Sequence, residues 1–337
     1  MRCLILTAVC AAFAVLPLRA PGEDQSTDPL RLLPVLPKPQ VAAAAALGQP
    51  TTVAPGIATV ADAVVLEGKT LFETGPVDGL EVLVCLEGGK YHESLVRLTT
   101  GNGQLVKFAV IRVLGLDDGQ PAAEGSGQPA RGVPVRVVLQ WPSPDDPARW
   151  LEIDLTCLVR DRAVDRAYPP LPFIYTGSRI QAVTETDPAG VVVKRERFML
   201  DSTKSVAVAF DEPDALLASP FPGANVDQRF EVNSALTPPV GTSVRVVIRR
   251  AELPMTLEMD ADGTLRPGEG RPALDDAALG AALGATYALD RPVTLRAVGV
   301  RVLDPGTDRA VDIAARQRLL AAAIEAKVWV VPVFLLK

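Results

Sequence analysis

The stretch VPVRVVLQWPSPDDPARWLEIDLTCLV, residues 133–159, decides the reading of the fold. Val135, Val137 and Leu139 alternate with Arg136, Val138 and Gln140, and Leu151, Ile153 and Leu155 alternate with Glu152, Asp154 and Thr156. A period of two marks a strand with one buried face. Between the runs lies PSPDDP, a cluster of turn formers that cannot continue either strand. The spacing therefore predicts an antiparallel hairpin of 133–141 with 150–159.

Outward from this hairpin the chain keeps a strand-rich character. Short apolar runs at 63–67, 80–86, 95–98, 191–193, 198–200, 205–210 and 244–249 are further strands. Gly88-Gly89 marks a hairpin turn between the second and third of these. Helix is expected in few places. In LVKFAVIRVL the residues Leu105, Ala109 and Val113, and Val106, Val110 and Leu114, recur at four-residue spacing. Asn102 before them is an N-cap and Gly115 after them a C-terminal stop, so a helix spans 103–114. Asp214–Ala218 behind Pro213 reads as a single helical turn. The block 255–336 changes pattern to strand, Asp260-Ala261-Asp262-Gly263 turn, helix (275–284), strand (293–300), helix (310–326) and strand (329–335). The fold class is α+β: a β-rich domain with few helices over 57–250, then a small β-α-β-α-β module over 255–336.

The 337 residues carry 34 Lys and Arg against 40 Asp and Glu, a net charge of −6. No basic footprint for a nucleic acid is present. A single His, His92, excludes metal sites that need two, and any Ser–His–Asp triad without it. No cofactor is expected: Gly68-Lys69-Thr70 lacks the upstream glycine of a phosphate loop, and no GxGxxG follows a strand. Asp260-Ala261-Asp262-Gly263 lacks the closing Glu of a calcium loop and reads as a hairpin turn.

Residues 1–20, MRCLILTAVCAAFAVLPLRA, have the basic start, short apolar centre and small-residue end of a secretory signal. Residues 21–56 form a linker rich in Pro and Ala, in which the Ala run 41–47 suits a short helical piece or an extended tether. No later run is long enough to span a bilayer after cleavage, so the expected location is periplasmic or secreted. Cys85 and Cys157 remain after cleavage. Two readings stand for them: a disulfide between adjacent strands, or two free buried thiols.

Three polar groups are candidate sites. Lys90, His92 and Glu93 in GGKYHES, beside Cys85, offer acid/base chemistry, with Cys85 and His92 as metal ligands. The plainer reading is that His92 and Glu93 brace a turn. Arg179, in TGSR, and Asp211 and Asp214, in DEPD, offer an ion pair or an anion site, against a turn and a helix cap.

GGKYHESL (88–95), FIYTGSRI (173–180), FDEPDALLASP (210–220) and VNSALTPPVGTSVRVVI (232–248) together resemble the YdjY-type domain of bacterial exported proteins over about 57–250. That resemblance implies an extracytoplasmic domain of largely unknown activity. A ferredoxin-like label carried by some members does not transfer, because the Cys runs of an iron–sulfur protein are absent. The 255–336 block, with LEMDADGTL, is similar to the periplasmic domain of the ExbD/TolR biopolymer-transport proteins, although their N-terminal transmembrane helix has no counterpart beside it. The expected function is a non-enzymatic binding or structural module of the envelope. Its expected partners are an envelope protein, the cell wall or a second copy in a homodimer. The alternative is a metal- or redox-linked protein or enzyme centred on Cys85, His92 and Glu93.

Overall fold

The computed structural model describes residues 38–336, apart from 77, 118–120, 122–129, 187, 189, 191, 222–223, 227, 269, 288–294 and 305. The leader 1–20 and residues 21–37 of the linker behind it lie outside the described residues. The protein is sheet-rich and of the α+β class. No helix among the described residues is long and apolar enough to cross a membrane.

The first elements are β1 (Ala42–Ala43), β2 (Thr51–Ala54), β3 (Ile57–Val60), β4 (Ala63–Thr70), β5 (Val82–Cys85), β6 (Ser94–Leu98) and helix α1 (Gly103–Leu114). The Ala run is thus not helical. Its helix propensity yields to cross-strand pairing, with Ala42 opposite Glu152 and Ala43 opposite Leu151. The Gly88-Gly89 turn does not close a hairpin either: β5 and β6 are parallel, joined through that turn and a 3₁₀ turn at Tyr91–Glu93. Gly68-Lys69-Thr70 lies inside β4. A Cβ on Gly68 would stand 2.6 Å from the carbonyl oxygen of Arg97, so the glycine admits strand β6 at close range.

Helix α1 forms as the sequence predicts. Asn102 Oδ1 accepts the amide of Leu105 at 2.9 Å, and Gly115 takes the left-handed conformation with its N–H on Ile111 O. Arg250 donates to the carbonyl oxygens of Leu114 and Gly115 at 2.5 and 2.7 Å, satisfying helix-end acceptors with a cation where the dipole favours one.

Next come β7 (Arg131–Pro142), β8 (Trp150–Asp154), β9 (Val159–Asp161), β10 (Arg166–Ala167), β11 (Phe173–Tyr175), β12 (Ile180–Thr186), β13 (Val192–Phe198), the short helix α2 (Leu200–Thr203), β14 (Ser205–Val208), β15 (Leu217–Ala218), β16 (Phe230–Val232) and β17 (Ser243–Arg250). The predicted hairpin is present, with Leu139 opposite Ile153 and Trp141 opposite Leu151. Its second arm is shorter than expected. Leu155–Leu158 coil into a 3₁₀ turn that buries Cys157, and the strand resumes at β9. Asp214–Ala218 is not a helical turn; the chain bends and enters β15. Val192–Phe198 is a single strand, hairpinned with β12 into an exposed two-stranded arm.

Hydrogen bonding closes eight strands into a ring, in the order β7, β11, β15, β14, β5, β6, β4, β17 and back to β7. Closure leaves these strands no long free edge. The largest buried cluster takes Leu66, Leu83, Val96, Leu139, Phe173, Val206, Leu217 and Val246 from the ring, and Val106, Val110 and Leu114 from α1. Each such side chain removed from water contributes about 1.5–3 kcal/mol. Strands β10, β9 and β16 form a small separate sheet under an aromatic group of Tyr168, Phe221, Phe230 and Phe173.

The last block contains β18 (Thr256–Met259), β19 (Leu265–Arg266), α3 (Asp276–Thr286), β20 (Leu295–Val302), α4 (Arg309–Glu325) and β21 (Trp329–Leu335). The predicted alternation holds, with the Asp260–Gly263 turn joining β18 to a short antiparallel β19. Strands β18, β20 and β21 are parallel, and both helices pack Leu279, Leu283, Leu319 and Ala323 onto Leu257, Val300 and Phe334. Strand β21 then pairs in parallel with the start of β7, Phe334 opposite Arg131, so the two blocks share one hydrogen-bonded sheet.

Candidate functional site

GGKYHES and FDEPD, far apart in the chain, meet on the protein surface. Gly88 and Gly89 turn the chain after β5. A Cβ on Gly89 would meet Lys204 Cβ at 2.8 Å and Cys85 Cβ at 3.0 Å, so only glycine fits there without a shift. The turn is tied down by Gly88 N–H donating to the Tyr91 hydroxyl at 2.7 Å and by Ser94 Oγ donating to Lys90 O at 2.5 Å. This presents Lys90 Nζ 2.9 Å from Glu93 Oε1 and 4.0 Å from Glu81 Oε2. Burial alone would lower the Lys90 ammonium, but Glu93, Glu212 and Glu81 outweigh it and hold the pKa above its ordinary value.

Glu212 completes this knot. Burial pushes its carboxyl up, against a hydrogen bond from Ser205 and the attraction of Lys90, while Asp214 and Glu93 add to the rise. Asp214 is held by Arg179 through Nε and Nη2 on one guanidinium edge, and its own carbonyl accepts Ser178 Oγ at 2.6 Å. Arg179 and Asp214 are therefore the ion pair that the sequence offered. Asp211 stays exposed at the edge of the turn.

The structure does not gather the proposed chemical set. The His92 side chain is 82% exposed and only 4.0 Å from Glu93 Oε1 at its closest, whereas Cys85 is wholly buried. Among the described residues no group of three His, Cys, Asp or Glu side chains could hold a metal. Cys85 packs with Val82, Val208 and Ala215, Cys157 lies in the main cluster, and both are free. Burial raises both thiols, which weakens them as nucleophiles. What the arrangement does chemically is brace two turns with charge.

A different place has the shape of a binding site. On the outer face of the ring, a cavity of about 590 Å³ lies beneath the strap Ala43–Gly48. Its floor holds outward residues in register across neighbouring strands, Glu67 opposite Arg245 and Arg245 opposite Gln140; Gln140 in turn stands opposite Glu152, outside the lining. Trp150 closes one wall; Ala58 and Val65 supply apolar surface. The Arg245 guanidinium lies over the Trp150 ring at 3.8 Å from its centroid. Leu47 pins the strap to the apolar patch of Val60, Ala63, Val65, Val138 and Val247. The size is that of small-molecule sites, which run about 300–1,000 Å³.

Sequence reading missed Trp150 and Arg245 as a pair. The alternation VRVVI does place Arg245 on the outward face, but only the β17–β7–β8 pairing brings it to Trp150. Comparison with protein-family models, with curated proteins and with solved structures gives no match to this chain.

Proposed function

We propose that this chain is an exported protein of the cell envelope that works by binding, and that the cavity under the Ala43–Gly48 strap is where it binds. The observation that carries the reading is this roofed cavity, with a small number of polar groups set in an apolar lining. The signal-like run 1–20 and the resemblances to YdjY-type and ExbD/TolR periplasmic domains support the envelope location, and the inaccessibility of Cys85 beside an outlying His92 supports binding over turnover. In this reading 57–250 is the YdjY-like domain and 255–336 an ExbD-like module serving partner contact or self-association.

Native mass spectrometry of protein purified from its own envelope fraction tests this. The expected result is a retained small molecule that is lost in Ala58→Phe, which fills the cavity from its floor. Recovery of the protein from the cytosol with its leader intact, or identical ligand-free spectra for both proteins, overturns it.

A further inference from the structure

The cavity contains a cation that has no anionic partner among the described residues. Among the described residues, Arg245 has one interaction, the face of Trp150, and neither a carboxylate nor a carbonyl takes its N–H groups. Among the described residues neither neighbour in register bonds to it: Gln140 donates Nε2 to Glu152 Oε2 at 3.0 Å, and Glu67 is exposed with no ion pair to Arg245. Arg97 and Arg316 likewise lie over the Tyr91 and Phe334 rings, but several other arginines are held by carboxylates. Arg136 grips Asp154 at 2.7 and 2.9 Å, Arg229 grips Asp161, and Arg160 and Arg162 share Glu231. A guanidinium is planar, always charged and shaped for two parallel bonds to a carboxylate. Stacking on the indole fixes its plane, so little freedom remains to be lost when an acceptor arrives.

From this geometry we infer that the cavity takes a small carboxylate-bearing molecule with an aliphatic body, its carboxylate on Arg245 and its chain along Val65, Ala58 and the strap alanines. The inference rests on the binding role proposed above and names the ligand class. Charge agrees with it. The cavity lining carries Arg149 and Arg245 against Glu67 alone, a net positive pocket on a chain whose net charge is −6. The apolar wall disfavours heavily hydrated anions that lack a hydrocarbon part, because Arg149 and Arg245 alone do not replace a full shell of water.

Isothermal titration of the full chain with octanoate and with octanamide, its neutral counterpart, tests the assignment. Octanoate is expected to bind about tenfold tighter, the scale of one charge-assisted hydrogen-bonded pair. Arg245→Met, which keeps the stem over Trp150 and removes the donors, should abolish the preference. Lys69→Met, an equal charge change outside the cavity, should keep it. Arg245→Lys serves if the Met variant does not fold, and should weaken the preference because a point charge replaces the planar fork. Equal binding of the two probes overturns the carboxylate assignment and leaves the cavity as a binding site. A preference that survives in Arg245→Met overturns the role of Arg245. Binding of neither probe overturns the ligand class, and the retained-ligand spectra then judge the cavity itself.

Discussion

Asp161 is wholly buried and takes the Arg229 guanidinium through Nη2 at 2.6 Å and Nε at 2.9 Å. The Tyr168 hydroxyl donates to the same Oδ2 at 2.9 Å, and the Ala163 amide donates to Oδ1 at 2.8 Å. A carboxylate with this many donors is stable inside the protein, and one that loses its cation is not. Arg229→Ala should therefore cost about 3–5 kcal/mol, the penalty of a buried charge left alone. Tyr168→Phe removes one neutral donor and should cost about 1–3 kcal/mol. Urea unfolding of both variants checks the order; equal costs would show that the ion pair is not what stabilises this corner.

Glu212 makes stability depend on pH. Its folded pKa is raised by burial, so between the ordinary glutamate value and the raised value the folded state holds a proton that the unfolded state has released. The contribution is fully present below the ordinary value and is lost as pH rises through the folded one. The rise in the Lys90 pKa acts only at alkaline pH and leaves this window alone. Glu212→Gln should flatten the decline and raise the urea midpoint at neutral pH. A variant whose midpoint follows the same pH curve as the parent rules this out.

Leu139 is fully buried and sits opposite Ile153 in the predicted hairpin. Leu139→Ala should cost about 2–5 kcal/mol through lost contact and a residual void. Leu139→Asp should leave too little folded protein to measure, since the ion has no partner there. Expression of a soluble Leu139→Asp protein with the parent's melting temperature would contradict the burial.

Cys85 and Cys157 should be silent toward an exposed-thiol reagent in the native state and react fully in denaturant. Both are buried, and burial raises both thiols. Peptide mapping after labelling identifies each site. Rapid native labelling at Cys85, or failure of either residue to react after unfolding without reductant, contradicts the free buried state.

Much of this architecture is visible in local chemistry. The hairpin 133–159, the helix between Asn102 and Gly115, and the helices and strands of the last block each follow from periodicity and caps within a short window. The departures have non-local causes. Ala42–Ala43 becomes strand because Glu152 and Leu151 offer it an edge. The apolar run 151–159 breaks at Leu155 because the 3₁₀ turn lets Thr156 Oγ1 donate to Pro169 O at 3.0 Å while its oxygen accepts the Leu171 amide at 3.0 Å. At the sites the same division holds. The Arg179–Asp214 pair lay in two motifs already singled out, but Lys90 meeting Glu212, and Arg245 meeting Trp150, depend on pairings that no short window contains.

Strand β7 meets β21 and β17 along one edge and β11 and β8 along the other. Sliding it by a single position would turn Val135, Val137 and Leu139 to the water and drive Arg136 and Gln140 into the core. The same slip would mismatch all four neighbours together, from the cavity floor to the last block. The strand thus serves as a proofreading element for assembly, in which one misaligned residue is refused at four borders at once.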